Sequence, residues 1–131
     1  FALQKSAANR ALDKIIQLQA LQIAQRAVFM PELDCSFVGV QKENCFDKTK
    51  AFQFANITKN PSAKLAYFET FGFATLQLSE VYPSNFTITL YNNTPDRFSE
   101  KNTLQSPVLL YDALTKQYGF GVLEVIVYAQ R

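Results

Sequence analysis

The feature that most constrains this chain is the stretch 6–30, SAANRALDKIIQLQALQIAQRAVFM, which contains neither glycine nor proline. It is rich in Ala, Leu, Gln and Arg, which are strong helix formers. Pro31 follows it and should end a helix, because the residue before a proline is pushed out of the α region. The stretch therefore predicts an N-terminal helix of about seven turns over residues 6–30.

The two sides of this helix differ in polarity when residues are placed about 100° apart. The apolar side comprises Leu12, Ile16, Ala20, Ile23 and Ala27. The polar side comprises Lys14, Gln19, Gln22, Gln25 and Arg26. Ile15 and Leu18 are apolar exceptions on the polar side. They indicate either a second contact, with another protomer or an upstream segment, or a short loop folding over them.

Composition excludes several classes of function. A chain of 131 residues is long enough for one domain, and 48% hydrophobic residues can build its core. The net charge is only +2, and the basic residues are scattered, which does not favour nucleic-acid binding. The chain has no histidine. Ser–His–Asp and Cys–His catalysis and histidine-based zinc sites are therefore excluded.

The two cysteines, Cys35 and Cys45, lie in polar, loop-like surroundings. With no second pair and no C-x-x-C spacing, the pattern does not favour a zinc site or a redox motif. We predict a disulfide, with two buried thiols as the alternative. A disulfide is typical of proteins outside the cytoplasm.

Three N-x-S/T sequences, beginning at Asn56, Asn85 and Asn92, are candidate glycosylation sites. The alternative is that these Asn and Thr residues serve only as turn and strand residues. Together with the cysteine pair, they favour an extracellular or cell-surface glycoprotein.

The chain contains no apolar run of about 18 residues that could cross a membrane. It begins with FALQKS and without Met. From this start we expect a hydrophobic segment upstream that tethers the domain to a membrane.

A cysteine-bearing connector over residues 31–62 is expected to lead into an antiparallel sheet over residues 63–131. Alternation of apolar and polar residues predicts a hairpin of strands 73–82 and 86–91. Two further strands are expected at 107–111, opened by a proline and so in a first or edge position, and at 118–128. Residues 92–105 are predicted as a loop.

Within the connector, residues 36–40 are a candidate short strand, and residues 49–58 fit a helix or a strand equally well. The fold class predicted is α+β, a single domain with a long N-terminal helix packed on about four antiparallel strands.

The two largest apolar surfaces are the helix stripe and the last strand, and burying them together is favourable. We expect contact between two sets of residues: Leu12, Ile16 and Ile23 with Leu123, Val125 and Val127. Gly119 and Gly121 suggest a bulge or the close approach of another backbone. Glu124 is expected on the solvent face.

No constellation of residues indicates catalysis, and we predict no catalytic residue, cofactor or metal. The sequence YGFG at 118–121 lies inside a strand and is not a phosphate-binding loop. We interpret the carboxylate pairs of the connector, Glu32 with Asp34 and Glu43 with Asp47, as solvated charges in a loop. A calcium site built from Asp34, Glu43, Asn44 and Asp47 would lack EF-hand spacing.

Three tyrosines, Tyr91, Tyr111 and Tyr118, are predicted on an exposed sheet face. They could bind a sugar or a protein partner, but tyrosines on a sheet more often pack across strands.

The order of helix, cysteine-bearing connector and antiparallel sheet resembles the globular part of type IV pilin-like proteins. The tail, SPVLLYD followed by YGFGVLEVIVY at 106–128, is similar to the ends of uncharacterised single-pass archaeal proteins with an outward-facing domain. A pilin's hydrophobic start with its near-terminal Glu is not among these residues.

The resemblance implies a non-enzymatic structural or assembly protein of the cell surface, either a pilin-like subunit or its accessory. Its partners would be other protein subunits, with a homo-oligomer formed through the N-terminal helix, and the membrane through the upstream segment. The alternative is a ligand-binding extracytoplasmic sensor module of a membrane protein.

Overall fold

The computed structural model describes the backbone of residues 2–37, 40–98 and 100–129, and side chains within 14–35, 45–98 and 101–128. These residues form three helices and six strands in an α+β arrangement. In chain order the elements are α1 (Ala2–Val28), β1 (Asp34–Phe37), β2 (Val40–Asp47), α2 (Lys48–Ile57), α3 (Pro61–Phe71), β3 (Ala74–Tyr82), β4 (Phe86–Asn92), β5 (Glu100–Asp112) and β6 (Gln117–Ala129).

The strands form one sheet in the order β1-β2-β5-β6-β3-β4. The predicted α+β class is confirmed, but the prediction of about four antiparallel strands is wrong. Two additional strands, β1 and β2, lie in the region expected to be a connector. β2 runs parallel to β5, so the sheet is mixed, whereas the other pairs are antiparallel.

β5 is much longer than the predicted strand at 107–111 and includes part of the predicted loop. Pro107 lies in its interior, opposite Val122 of β6. β2 pairs with β5 only over residues 109–111, so β5 is still an edge strand beside Pro107. A residue without an N–H group is tolerated there because no partner strand needs that donor.

The ambiguous segment 49–58 is helical. Asp47 caps α2, with its Oδ1 accepting a hydrogen bond from the Lys50 amide at 3.2 Å. Asn60 caps α3, and Pro61 occupies its first turn. The Asn-Pro pair suits the start of a helix, because Asn favours the N-cap and Pro the first helical position.

The three helices contribute to one core against a single face of the sheet. Ile16 and Ile23 of α1 are buried in the same cluster as the inward residues of β6, Leu123, Val125 and Val127. This agrees with the predicted packing, and the side chain of Leu12 lies outside the described residues.

The prediction of a long helix over residues 6–30 packed on the sheet is not matched along that whole length. The part of α1 with described side chains, which supplies its buried residues, is the 15-residue stretch 14–28.

β6 lies in the middle of the sheet and alternates strictly between its two faces. Glu124 points away from the core and accepts a hydrogen bond from Gln105 at 3.0 Å. A Cβ atom on Gly121 would lie 2.4 Å from the carbonyl oxygen of Ser79. The predicted close approach of another backbone is therefore present, with β3 as the neighbour.

The predicted hairpin is formed by β3 and β4, but Tyr91 does not face solvent as its alternation suggested. The register shifts between Leu76 and Gln77, which pair with Tyr91 and Thr89. This bulge inserts Leu90 as an extra residue and turns Tyr91 toward the core, where it is fully buried.

Candidate functional site

α1 carries a second apolar surface on the side away from the sheet. Ile15 is 54% exposed, Leu18 54% and Leu21 45%, and Phe29, the residue after the end of α1, is 57% exposed. We call these four residues the outer row. Ile15, Leu18 and Leu21 follow one another at three-residue spacing, which places them on neighbouring turns of the helix. The outer row lies roughly opposite the buried Ala20.

The middle of the outer row lies in an uncharged part of α1. Residues 15–25, IIQLQALQIAQ, include no Asp, Glu, Lys or Arg over three turns. The exposed positions between Ile15 and Leu21 are glutamines, whereas Lys14 precedes Ile15 and Arg26 lies between Leu21 and Phe29. Depletion of charged residues together with exposed large apolar side chains is typical of the core of a protein–protein interface.

A groove of about 420 Å³ runs beside this surface, between α1, the end of α3 and the end of β6. Gln19, Gln22 and Arg26 of α1 line one side. Arg26 donates a hydrogen bond from Nη1 to the carbonyl oxygen of Thr70 at 2.8 Å. Because Gln22 lies between the groove and the outer row on the helix, the two surfaces are continuous.

The structure joins Cys35 and Cys45 in a disulfide, as predicted, with Cα atoms 5.4 Å apart. Both cysteines are fully buried, and the bond links β1 to β2. A disulfide of this kind points to an extracellular or otherwise oxidising location.

The three glycosylation candidates differ in their surroundings. Asn85 is exposed in the turn between β3 and β4. The Oδ1 atom of Asn92 accepts hydrogen bonds from Thr75 and Thr94. Asn56 is exposed, but its sequon partner Thr58 is buried. Use of any of these sites remains a prediction.

Two of the four acidic residues of the former connector, Asp34 and Asp47, have structural roles, whereas Glu32 is exposed. Asp34 was expected to be solvated, but it is buried and lies 3.5 Å from the ammonium group of Lys50. Asp47 is the N-cap of α2. The side chains of Glu43 and Asn44 lie outside the described residues. Within the described side chains, no group of three or more Asp, Glu or Cys residues is arranged to hold a metal ion.

Of the three tyrosines predicted on an exposed sheet face, only Tyr111 and Tyr118 lie together. Tyr111 and Tyr118 are register partners on β5 and β6, and their ring centroids lie 5.1 Å apart. Tyr91 is in the core. The remaining pair is therefore explained by cross-strand packing.

The sequence interpretation identified Ile15 and Leu18 but missed Leu21 and Phe29 as members of the same surface. The absence of charge between Lys14 and Arg26 was the available signal. Within the described part of the chain, none of the helices is long and apolar enough to span a membrane. No protein-family model, curated protein or solved structure matches this chain.

Proposed function

We propose that the protein is a non-enzymatic structural or assembly protein of the cell surface that associates with further copies of itself through α1. The observation that carries this proposal is the outer row, an exposed apolar row opposite the buried face of the same helix. A helix that is apolar on both sides has one face to place in the domain core and one to place against a partner.

A second copy of the chain is the partner that suits this surface. The middle of this surface, formed by Ile, Leu and Gln between Lys14 and Arg26, is uncharged, so two copies can meet there without bringing like charges together. Glutamine side chains can also hydrogen-bond to one another across an interface. The adjoining groove enlarges the contact area. A pilin-like subunit or an accessory of such an assembly, tethered to a membrane, is the specific form that the helix-then-sheet layout suggests.

Self-association of the 131-residue protein tests this proposal. Sedimentation velocity over a range of concentrations should show concentration-dependent dimers or larger species. Leu18→Glu should abolish them, because two copies of the new carboxylate would have to lose their water in the interface. Leu114→Glu is the matched control, since Leu114 is 91% exposed in the β5–β6 turn, away from α1.

Association that persists in Leu18→Glu would overturn the role of the outer row. A wild-type protein that stays monomeric at the highest attainable concentration would overturn self-assembly of this domain.

A ligand-binding module is the second candidate, and the groove favours it, because about 420 Å³ is within the range of small-molecule sites. Nuclear magnetic resonance titration with small polar ligands would favour this candidate if saturable shifts were confined to the groove. Changes in chemical shift that are confined to the outer row when the protein alone is diluted would favour assembly instead.

A further inference from the structure

Three charged side chains from distant parts of the chain meet where β3 and β5 end and α2 begins. Glu80 of β3 is 1% exposed. The ammonium group of Lys48, the first residue of α2, lies 3.1 Å from both of its carboxylate oxygens. The same ammonium group lies 3.8 Å from Oδ2 of Asp112, the last residue of β5. The Ser84 hydroxyl donates a hydrogen bond to Glu80 Oε2 and fixes this carboxylate.

The space around this cluster is too small for a substrate. The cavity lined by these side chains holds about 20 Å³. That is on the order of the space that one water molecule needs. Gly119 closes one side, since even a Cβ atom there would lie 2.8 Å from Glu80 Oε1. The charged groups within 4 Å of the amine are the carboxylates of Glu80 and Asp112.

The Asp112 carboxylate is oriented for attack by an amine. Its Oδ1 atom accepts hydrogen bonds from the backbone amides of Leu114, at 2.9 Å, and Thr115, at 3.4 Å. Oδ2 is left facing Lys48. Two backbone donors on one oxygen are the arrangement that stabilises the negative charge of a tetrahedral intermediate in acyl transfer.

We propose that Lys48 and Asp112 form an intramolecular amide bond, with Glu80 carrying the protons. The Lys48 ammonium gives one proton to Oδ2 of Asp112 by way of Glu80, and the resulting neutral amine attacks Cγ of the carboxylic acid. A C–N bond forms while Oδ1 holds the negative charge. The C–Oδ2 bond then breaks, and Oδ2 leaves as water. The two protons that this oxygen needs come from the ammonium group by way of Glu80, which ends unchanged.

The step balances without a further reagent, because an ammonium and a carboxylate become an amide and one water molecule. Folding supplies what the reaction lacks in solution, since it holds the two groups together beside the buried Glu80, with Lys48 18% and Asp112 29% exposed. The bond would tie the start of α2 to the β5–β6 turn. The Phe86 ring, with its centroid 5.3 Å from the Lys48 nitrogen, covers the amine on another side.

Intact mass spectrometry of the folded, then reduced, recombinant protein tests the proposal. We expect a mass lower than that of the sequence by one water molecule, and a branched peptide joining Lys48 to Asp112 after proteolysis. Bacterial expression is sufficient because no co-reactant is needed. A mass equal to that of the sequence would overturn the proposal and leave the cluster as an ion network.

Lys48→Arg is the decisive control, because it keeps the positive charge but cannot form this amide. It should have the full mass of its sequence. Formation of a succinimide at Asp112 would also remove one water molecule from the protein but does not need Lys48. A mass lower by one water molecule that persists in Lys48→Arg would therefore overturn the proposal. Glu80→Gln should lack the bond, and complete cross-linking in that variant would overturn the role of Glu80.

Discussion

The hydroxyl group of Tyr91 donates a hydrogen bond to the carbonyl oxygen of Gly72, 2.9 Å away. Gly72 ends α3 with a positive φ of 68°, a conformation that glycine adopts without strain. The contact therefore links the bulged part of β4 to the exact point where α3 turns into β3. It depends on the bulge, which places the phenol inside the core.

The first prediction concerns alkaline pH. Burial raises the pKa of Tyr91 above 10.0, partly opposed by its hydrogen bond with Asn93. The neutral phenol therefore favours the folded state, a contribution that is complete below about pH 10 and is lost as pH rises through the raised pKa. In urea unfolding, Tyr91→Phe should lose less stability than the wild type between about pH 9 and 11. Equal losses would contradict this.

The second prediction compares two adjacent isoleucines of α1. Ile16 is 4% exposed and Ile15 54% exposed. Ile16→Ala should lower the free energy of unfolding by about 2–5 kcal/mol, because it removes buried methyl groups and leaves a cavity. Ile15→Ala should change it by about 0.5 kcal/mol or less in the monomer. Chemical denaturation at low protein concentration measures both, and similar losses would contradict the packing of α1.

The third prediction concerns the disulfide between Cys35 and Cys45. Mass spectrometry of the non-reduced protein should show no free thiol. Replacing both cysteines with serine should lower the free energy of unfolding by roughly 2–3 kcal/mol, because the short loop is no longer restricted in the unfolded chain. Two alkylatable thiols in the folded protein would be incompatible with the bond.

The fourth prediction concerns glycosylation in the native source. We expect glycan on at least one sequon, with Asn85 the most readily modified, since it is exposed in a turn and Thr87 beside it is exposed too. Asn56 should be modified least, because the Thr58 hydroxyl is buried and donates to the Leu90 carbonyl oxygen at 2.6 Å. Glycopeptide mapping decides this, and bare peptides at all three positions would contradict it.

Local sequence patterns were sufficient for the elements whose periodicity is strong. The glycine-free stretch before Pro31 indicated a helix there, alternation indicated β3 and β4, and a strand was expected where β6 lies. Burial of Ile16 and Ile23 against Leu123 followed from matching the two largest apolar surfaces. The cysteine pair and the apolar exceptions Ile15 and Leu18 were also visible without a structure.

Tertiary structure alone decided the remaining relationships. β2 has no strong alternation, and its parallel pairing with β5 is a contact between segments distant in sequence. One extra residue at the bulge reversed the face of Tyr91, since side chains in a strand alternate with period two. No local sequence pattern links Lys48, Glu80 and Asp112. They come together only because β3 and β5 end, and α2 begins, at the same place.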